Sequence, residues 1–216
     1  MISIQNINKH FGHLHVLKNV SLEVHKNEIV SIVGASGAGK TTLLHIIGTI
    51  EKPDNGKILY HDTDVFAMPD KKLSAFRNTN IGFVFQFHHL LPEFSALENV
   101  MLPAMIGGLS KSSSEKKAIE LLKFFNIFDR KDHKPSQMSG GEQQRVAVAR
   151  AIINKPEVVL ADEPSGNLDS HNANELHKLF IRLQTEMNQT FVIITHNNEL
   201  ANIANRKLEM KDGQFI

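Results

Sequence analysis

The chain has 216 residues, 41% of them hydrophobic, enough to bury a real core and to exclude disorder and fibres. Charge balances, 24 Lys and Arg against 23 Asp and Glu for a net +1. The basic excess of a free-standing nucleic-acid binder is missing, and no nucleic acid is expected as a partner. No cysteine is present, so disulfides, iron–sulfur clusters and thiolate zinc sites are excluded. The opening residues show no charged stretch followed by an apolar one, and no apolar run reaches the roughly 18 residues a membrane helix needs. The chain is therefore expected in the cytosol, reaching a membrane only through a partner.

Up to Val24 apolar and polar residues alternate (Ile2, Ile4, Ile7, then Leu22, Val24), which predicts exposed antiparallel strands. Ile29–Val33 is short, apolar and β-branched, the pattern of a buried strand in a parallel sheet. Glycines follow at once, then Thr41–Ile47 with helical character. Ile81–Phe85, Glu157–Ala161 and Phe191–Thr195 predict three more buried strands. No strand-like run occurs between Phe87 and Pro156, so that stretch reads as a helical insertion. Within it Ser112–Glu115 fits a capping box ahead of Ala118, Ile119, Leu122 and Phe125. Ser170 reads as the cap of a helix carrying Leu176, Leu179, Phe180, Leu183 and Met187 on one face. Strands alternating with helices predict an α/β fold with a mostly parallel sheet.

Gly34-Ala35-Ser36-Gly37-Ala38-Gly39-Lys40-Thr41 matches G-x-x-x-x-G-K-[ST] between a buried strand and a helix, the context a P-loop requires. Its glycines let the backbone wrap a triphosphate with N–H groups pointing inward. The helix start near Lys40 and Thr42 adds the positive end of its dipole. Lys40 supplies a mobile charge for the β- and γ-phosphates, and the Thr41 hydroxyl is a hard oxygen ligand for Mg²⁺. ATP and Mg²⁺ are the expected ligands. Val158–Ala161 then runs into Asp162 and Glu163 at a strand's carboxyl end, where acids face the ligand crevice. Asp162 can hold Mg²⁺, and Glu163, one residue on, can polarise a water aimed at the γ-phosphate.

Met138-Ser139-Gly140-Gly141-Glu142-Gln143-Gln144-Arg145, lying between these two motifs, resembles the LSGGQ signature of the ATP-binding cassette (ABC) ATPases. The family's other motifs follow in order. Gln86, after Phe83-Val84-Phe85, resembles the Q-loop; Ser165-Gly166-Asn167-Leu168-Asp169 resembles the D-loop; His196, after Ile193-Ile194-Thr195, resembles the switch histidine. Phe11 stands where the family places an aromatic against adenine. The resemblance covers essentially the whole chain. It implies a P-loop NTPase with a RecA-like parallel core (residues 1–86 and 156–216), an N-terminal antiparallel β-subdomain and an inserted helical subdomain (residues 87–155).

Met138 for Leu is a swap of similar volume. Glu142 for Gln adds a negative charge, so no phosphate contact is assigned to it; the helix beyond is expected from about Glu142 to Ile153. The resemblance implies that Lys40, Thr41, Asp162 and Gln86 hold Mg·ATP, with Thr41, Gln86 and Asp162 at the metal. Glu163 activates water, and His196 contacts the γ-phosphate. Ser139 and the amides of Gly140 and Gly141 in a second copy close over the nucleotide, and Asp169 joins the two copies.

Residues Gln86–Val100, Ala161–Asp169 and Leu208–Gly213 resemble the lipoprotein-releasing members of the family, which work beneath integral membrane permease subunits at the cytoplasmic face of a bacterial inner membrane. Lipoprotein would then be only indirect cargo. His88-His89 could suggest a metal site, but adjacent side chains diverge on a strand or helix. Phe87, Leu90, Leu91 and Phe94 either grip the membrane partner or pack the helical subdomain. A macrolide or peptide exporter ATPase, a cell-division signalling ATPase and a soluble repair or translation ATPase remain the alternatives. The last is ranked lowest because the chain has one cassette and no coiled-coil insertion.

Overall fold

The computed structural model describes residues 1–216 as two sheets with helices between and around them. The first sheet starts with β1 (Ile2–Phe11) and β2 (Leu14–Val24), an antiparallel hairpin that turns at Gly12, whose φ is 59°. Ile2, Ile4 and Ile7 point inward opposite Leu17, Val20, Leu22 and Val24, the faces that the alternation predicts. Asn6 and Asn19, both with positive φ, sit where the register slips, and they tolerate that backbone better than most side chains. β4 (Asn55–Tyr60) and β5 (Thr63–Asp64) complete the order β2-β1-β4-β5.

The second sheet is built on β3 (Ile29–Val33), β6 (Ile81–Phe85), β7 (Val158–Asp162), β8 (Thr190–Ile194) and β9 (Arg206–Lys211), all parallel, with β10 (Gln214–Phe215) antiparallel at one edge. The order is β10-β9-β3-β8-β7-β6. Both faces of the central strands are covered, so β3, β6, β7 and β8 read as near-continuous apolar runs. Ile29, Val84, Val159, Ala161, Phe191 and Ile193 pack with α5 (Gly140–Ile152) and α6 (Ser170–Met187). Val30, Ile32, Val158, Leu160, Val192 and Ile194 pack with α1 (Lys40–Ile47) and the antiparallel sheet.

Between β6 and β7 the chain forms α3 (Ala96–Ile106), α4 (Lys111–Phe124), two short 3₁₀ turns and α5, with no strand. Ser95 and Glu98 make a full capping box at α3. The expected box at Ser112–Glu115 is displaced. α4 starts at Lys111, and Ser110 caps it by accepting from the Ser113 N–H, so Ser112 and Glu115 lie inside the helix. Gly108, at φ 91°, ends the preceding turn early enough to make Ser110 the capping position. At α6 the cap is likewise one residue earlier than expected: Asp169 accepts from the Asn172 N–H, and Ser170 is the first helical residue. Several elements have no counterpart in the expectations from sequence, β4, β9 and α2 (Asp70–Asn80) being the longest. α2 buries no residue, and β9 buries only Met210, so neither carries an apolar stripe.

Tyr60 on β4 is buried, and its hydroxyl donates to the Ile47 carbonyl at the end of α1, 3.1 Å away. This bond ties the antiparallel sheet to the helix that leaves the glycine loop. Tyr60→Phe leaves that carbonyl bare and is expected to cost about 1–3 kcal/mol in urea unfolding, with an unchanged m-value.

Candidate nucleotide site

Strand register builds the site. Ile32 pairs with Ile194, Ile194 with Asp162, and Asp162 with Phe85. The residues after these positions, from Gly34, His196, Glu163 and Gln86 onward, therefore leave the sheet at one edge, the carboxyl ends where ligands of open α/β sheets bind.

The glycine loop needs its glycines at two positions for different reasons. At Gly34, with φ 148°, a Cβ would lie 2.1 Å from the Met210 carbonyl oxygen on β9. Gly37, with φ 80°, has open space around it, and only its backbone conformation excludes a side chain. Gly39 is the residue before α1, in the left-handed region. The N–H groups of Ser36, Gly37 and Gly39 donate to no carbonyl of the chain, and Ala35, Ser36 and Gly37 are exposed. Ala38 is buried, its N–H closing a turn onto Ala35, and Thr42 is half-buried in the first turn of α1. Free amides at a helix start form an anion cradle. The Lys40 ammonium stands at its mouth, donating to the Gly34 and Ala35 carbonyls at 2.8 Å each.

The Thr41 hydroxyl donates to Asp162 Oδ2 at 3.0 Å, across the intervening β8. Burial pushes the Asp162 carboxyl up from its ordinary range; the Thr41 hydrogen bond opposes that shift and the neighbouring Glu163 adds to it. Two hard oxygens meeting at the end of a phosphate cradle fit Mg²⁺, which takes one or two protein oxygens and leaves the rest to phosphate and water. No group of three His, Asp or Glu side chains forms a closed cage for a tighter metal.

Glu163 has φ 46°, a left-handed backbone that costs a non-glycine residue about 1–3 kcal/mol and is concentrated at functional sites. Its N–H donates to the Ile194 carbonyl, which turns the side chain toward the end of β8. There Oε2 accepts from the His196 N–H at 3.2 Å and lies 3.0 Å from His196 Nδ1. Glu163 and His196 thus touch each other and share the wall of a cleft of about 480 Å³. A larger cavity of about 920 Å³ lies at the opposite edge of the sheet, beside Asn27 and Thr190, and holds none of the expected site residues.

Phe11 is half exposed at the end of β1, with the Lys9 ammonium 5.2 Å from its ring centre. Its hairpin reaches the glycine loop through Val16 and Leu17, each 2.9 Å from where a Cβ on Gly39 would lie. Gln86 is half-buried, and its Nε2 donates to Asn167 Oδ1 at 2.9 Å.

At the signature, α5 starts two residues earlier than expected. Gly140 and Gly141 form its first turn, and Ser139 is the cap. Ser139 Oγ accepts from the Glu142 N–H, while Glu142 Oε2 accepts from the Ser139 N–H at 2.7 Å. Glu142 therefore serves its own helix, and Arg130 neutralises it at 2.8 Å. A Cβ on Gly141 would lie 2.2 Å from Asn172 Oδ1, so the signature packs directly on α6. Asp169, expected to join two copies, has both carboxylate oxygens bonded to Asn172 of its own chain. His88 and His89 lie in an irregular loop rather than on a strand or helix, so the geometric premise for their divergence does not apply; Arg150 holds both backbone carbonyls. Asn167, Asn172, Arg130 and Arg150 had no assigned role, because no local spacing announces a contact that only folding creates.

Fold and site together define a P-loop nucleotide-binding cassette. Residues 17–166 match the ABC transporter family, and the chain belongs to it. Among its relatives, the chain is 59% identical to the lipoprotein-releasing system ATP-binding protein LolD of Bacteroides thetaiotaomicron, over 99% of this chain and 98% of that protein. It is 54% identical to LolD of Porphyromonas gingivalis, over 99% and 97%. Among solved structures it resembles the dimeric ABC transporter cassette MJ0796 with a TM-score of 0.91 and 39% identity, covering 100% of this chain and 96% of that one. The same cassette in a dimeric post-hydrolysis state, bound to ADP and Pi, gives a TM-score of 0.90.

The Arg130 hydrogen bond, aided by Ser139, holds the Glu142 carboxyl down at about 2, against 4.5 for an unperturbed glutamate. Its contribution to stability is complete above pH 4.5 and fades as pH falls toward 2. Glu142→Ala is expected to lower stability by about 1 kcal/mol at pH 7 through the lost cap, and by less at pH 3; urea midpoints at both values test this.

Proposed function

We propose that this chain is the ATP-hydrolysing subunit of a lipoprotein-releasing ABC transporter, held at the cytoplasmic face of a bacterial inner membrane by integral membrane subunits of the LolC/LolE kind. The observation that carries this reading is the 54–59% identity to LolD chains over nearly the full length of both partners. No helix is long and apolar enough to cross a membrane, so attachment falls to other chains.

In this reading, residues 1–86 and 156–216 are the nucleotide-binding core and residues 87–155 the helical unit. The loop from Gly34 to Gly39, with the free amides of Ser36, Gly37 and Gly39, and the start of α1, with Lys40 and Thr42, cradle the phosphates, and Phe11 stacks on the base. Thr41 and Asp162, with the Gln86 carboxamide oxygen, would hold Mg²⁺, which when bound neutralises charge on the β- and γ-phosphates. Glu163 takes a proton from the attacking water, and His196, in contact with Glu163, keeps that carboxylate aimed and reaches the γ-phosphate. Ser139, Gly140 and Gly141 present a second helix start, which caps the nucleotide of a second copy. The dimeric MJ0796 structures support this arrangement by likeness. Two such copies close on ATP and part after hydrolysis, and the movement is passed to the membrane subunits while the lipoprotein is handled elsewhere in the complex.

Phe87, Leu91 and Phe94 are the docking surface in this reading. All three are exposed, and their loop is rigid: buried Asn99 donates to the carbonyls of Leu91, Phe94 and Ser95 and accepts from the Leu91 N–H. Exposed apolar side chains on a clamped backbone suit a partner surface. Leu90 alone packs against the core.

Glu163→Gln is expected to lower turnover at least a hundredfold while ATP still binds, and to accumulate an ATP-bound dimer in size-exclusion chromatography. Native turnover in that variant would remove Glu163 from the water-activating role. In vesicles containing the co-purified membrane subunits, ATP is expected to release a lipidated protein to a soluble acceptor. ATP hydrolysis without release would favour the exporter or signalling alternatives.

A further inference from the structure

The contact between Gln86 and Asn167 is reciprocal. Gln86 Nε2 donates to Asn167 Oδ1 at 2.9 Å, and Asn167 Nδ2 donates back to the Gln86 backbone carbonyl at 3.2 Å. The pair fixes both the backbone and the side chain of Gln86. It also orients the carboxamide: with the nitrogen engaged, the oxygen is the atom left free of protein donors. The neighbouring Gly166 shows how close the approach is. A Cβ there would lie 2.9 Å from Gln86 Nε2, 3.1 Å from Cδ and 3.3 Å from Cγ, so the glutamine side chain lies flat across the turn only because residue 166 has no side chain. That turn is itself fixed to the water-activating residue, since the Gly166 N–H donates to the Glu163 carbonyl at 3.0 Å. Gln144, buried on α5, braces the same junction by donating to the Pro164 carbonyl at 2.7 Å.

We infer that Asn167 is a positioning residue for ATP hydrolysis, acting through Gln86: its carboxamide holds the Gln86 side chain so that the oxygen faces the metal and the nitrogen does not. This rests on the reading above that Gln86 is a ligand to Mg²⁺. The bond joins segments 81 positions apart, and it also links the docking loop, which begins at Phe87, to the turn that carries Glu163. A carboxamide free to rotate would present nitrogen half the time, and an N–H donor repels a cation.

A double-mutant cycle on the full-length chain tests the inference, reading kcat and the Mg²⁺ concentration at half-maximal ATPase activity, with melting temperature as the control. Asn167→Ala is expected to lower kcat about five- to tenfold and to raise the Mg²⁺ requirement, the scale of one lost positioning hydrogen bond. Gln86→Ala should do at least as much, and Asn167→Ala added to Gln86→Ala should do nothing further. Asn167→Asp, which keeps the acceptor for Gln86 Nε2 and loses the donor, should fall between the native chain and Asn167→Ala; it serves if the alanine variant melts early. A purely structural role would lower the melting temperature without moving the Mg²⁺ requirement. Additive losses in the double variant overturn the inference alone and leave Gln86 at the metal. A Gln86→Ala chain with native kcat and native Mg²⁺ requirement removes Gln86 from the metal and the inference with it.

Discussion

Parallel strands that end in register on one edge of a sheet are the constraint from which the site follows. Hydrogen bonding sets Ile32, Ile194, Asp162 and Phe85 level with one another, and what comes after each of them leaves the sheet at the candidate site. With both faces of the sheet buried, sliding one strand by a single residue would exchange its two apolar faces and move its last residue by more than 3 Å. The core that resists such a slip is therefore what holds Thr41 within 3.0 Å of Asp162, although β8 lies between their strands. The same intervening strand delivers His196 to Glu163.

The site carries terms that oppose folding. Asp162 is desolvated beside a second acid, Glu163 is held in a left-handed backbone, and the glycine loop keeps several amides unpaired. Of these the left-handed backbone of Glu163 costs about 1–3 kcal/mol. Two buried clusters, one on each face of the sheet, offset them.

Two helix starts face outward with small residues, and they are built differently. α1 begins after Gly39 with no side-chain cap, so its amides are left to a ligand. α5 has a full capping box, in which the carboxylate of Glu142 serves its own helix and is neutralised by Arg130. Such a start can meet an anion through Gly140 without its own acid repelling it. In the proposed sandwich, the uncapped start would hold the nucleotide and the capped one would close over it from the second copy.

The sequence by itself determined the parts whose chemistry is contiguous. The glycine loop with Lys40 and Thr41, the acids closing β7, the Ser-Gly-Gly turn and the β-branched strands each need only neighbours a few residues away. It was silent about β4, β9 and α2, because elements that bury one or two side chains, or none, leave no apolar period to read. It also placed two helix caps at the wrong serine, since several adjacent residues could cap and only the end of the preceding turn chooses among them. Tertiary structure alone decided the pairs: Thr41 with Asp162 across 121 positions, Gln86 with Asn167 across 81, Arg150 with the backbone beside His88 across 62. Those bonds depend on strand order and on helices packed over the sheet, and no local pattern of residues encodes a distance between segments that only the buried core brings together.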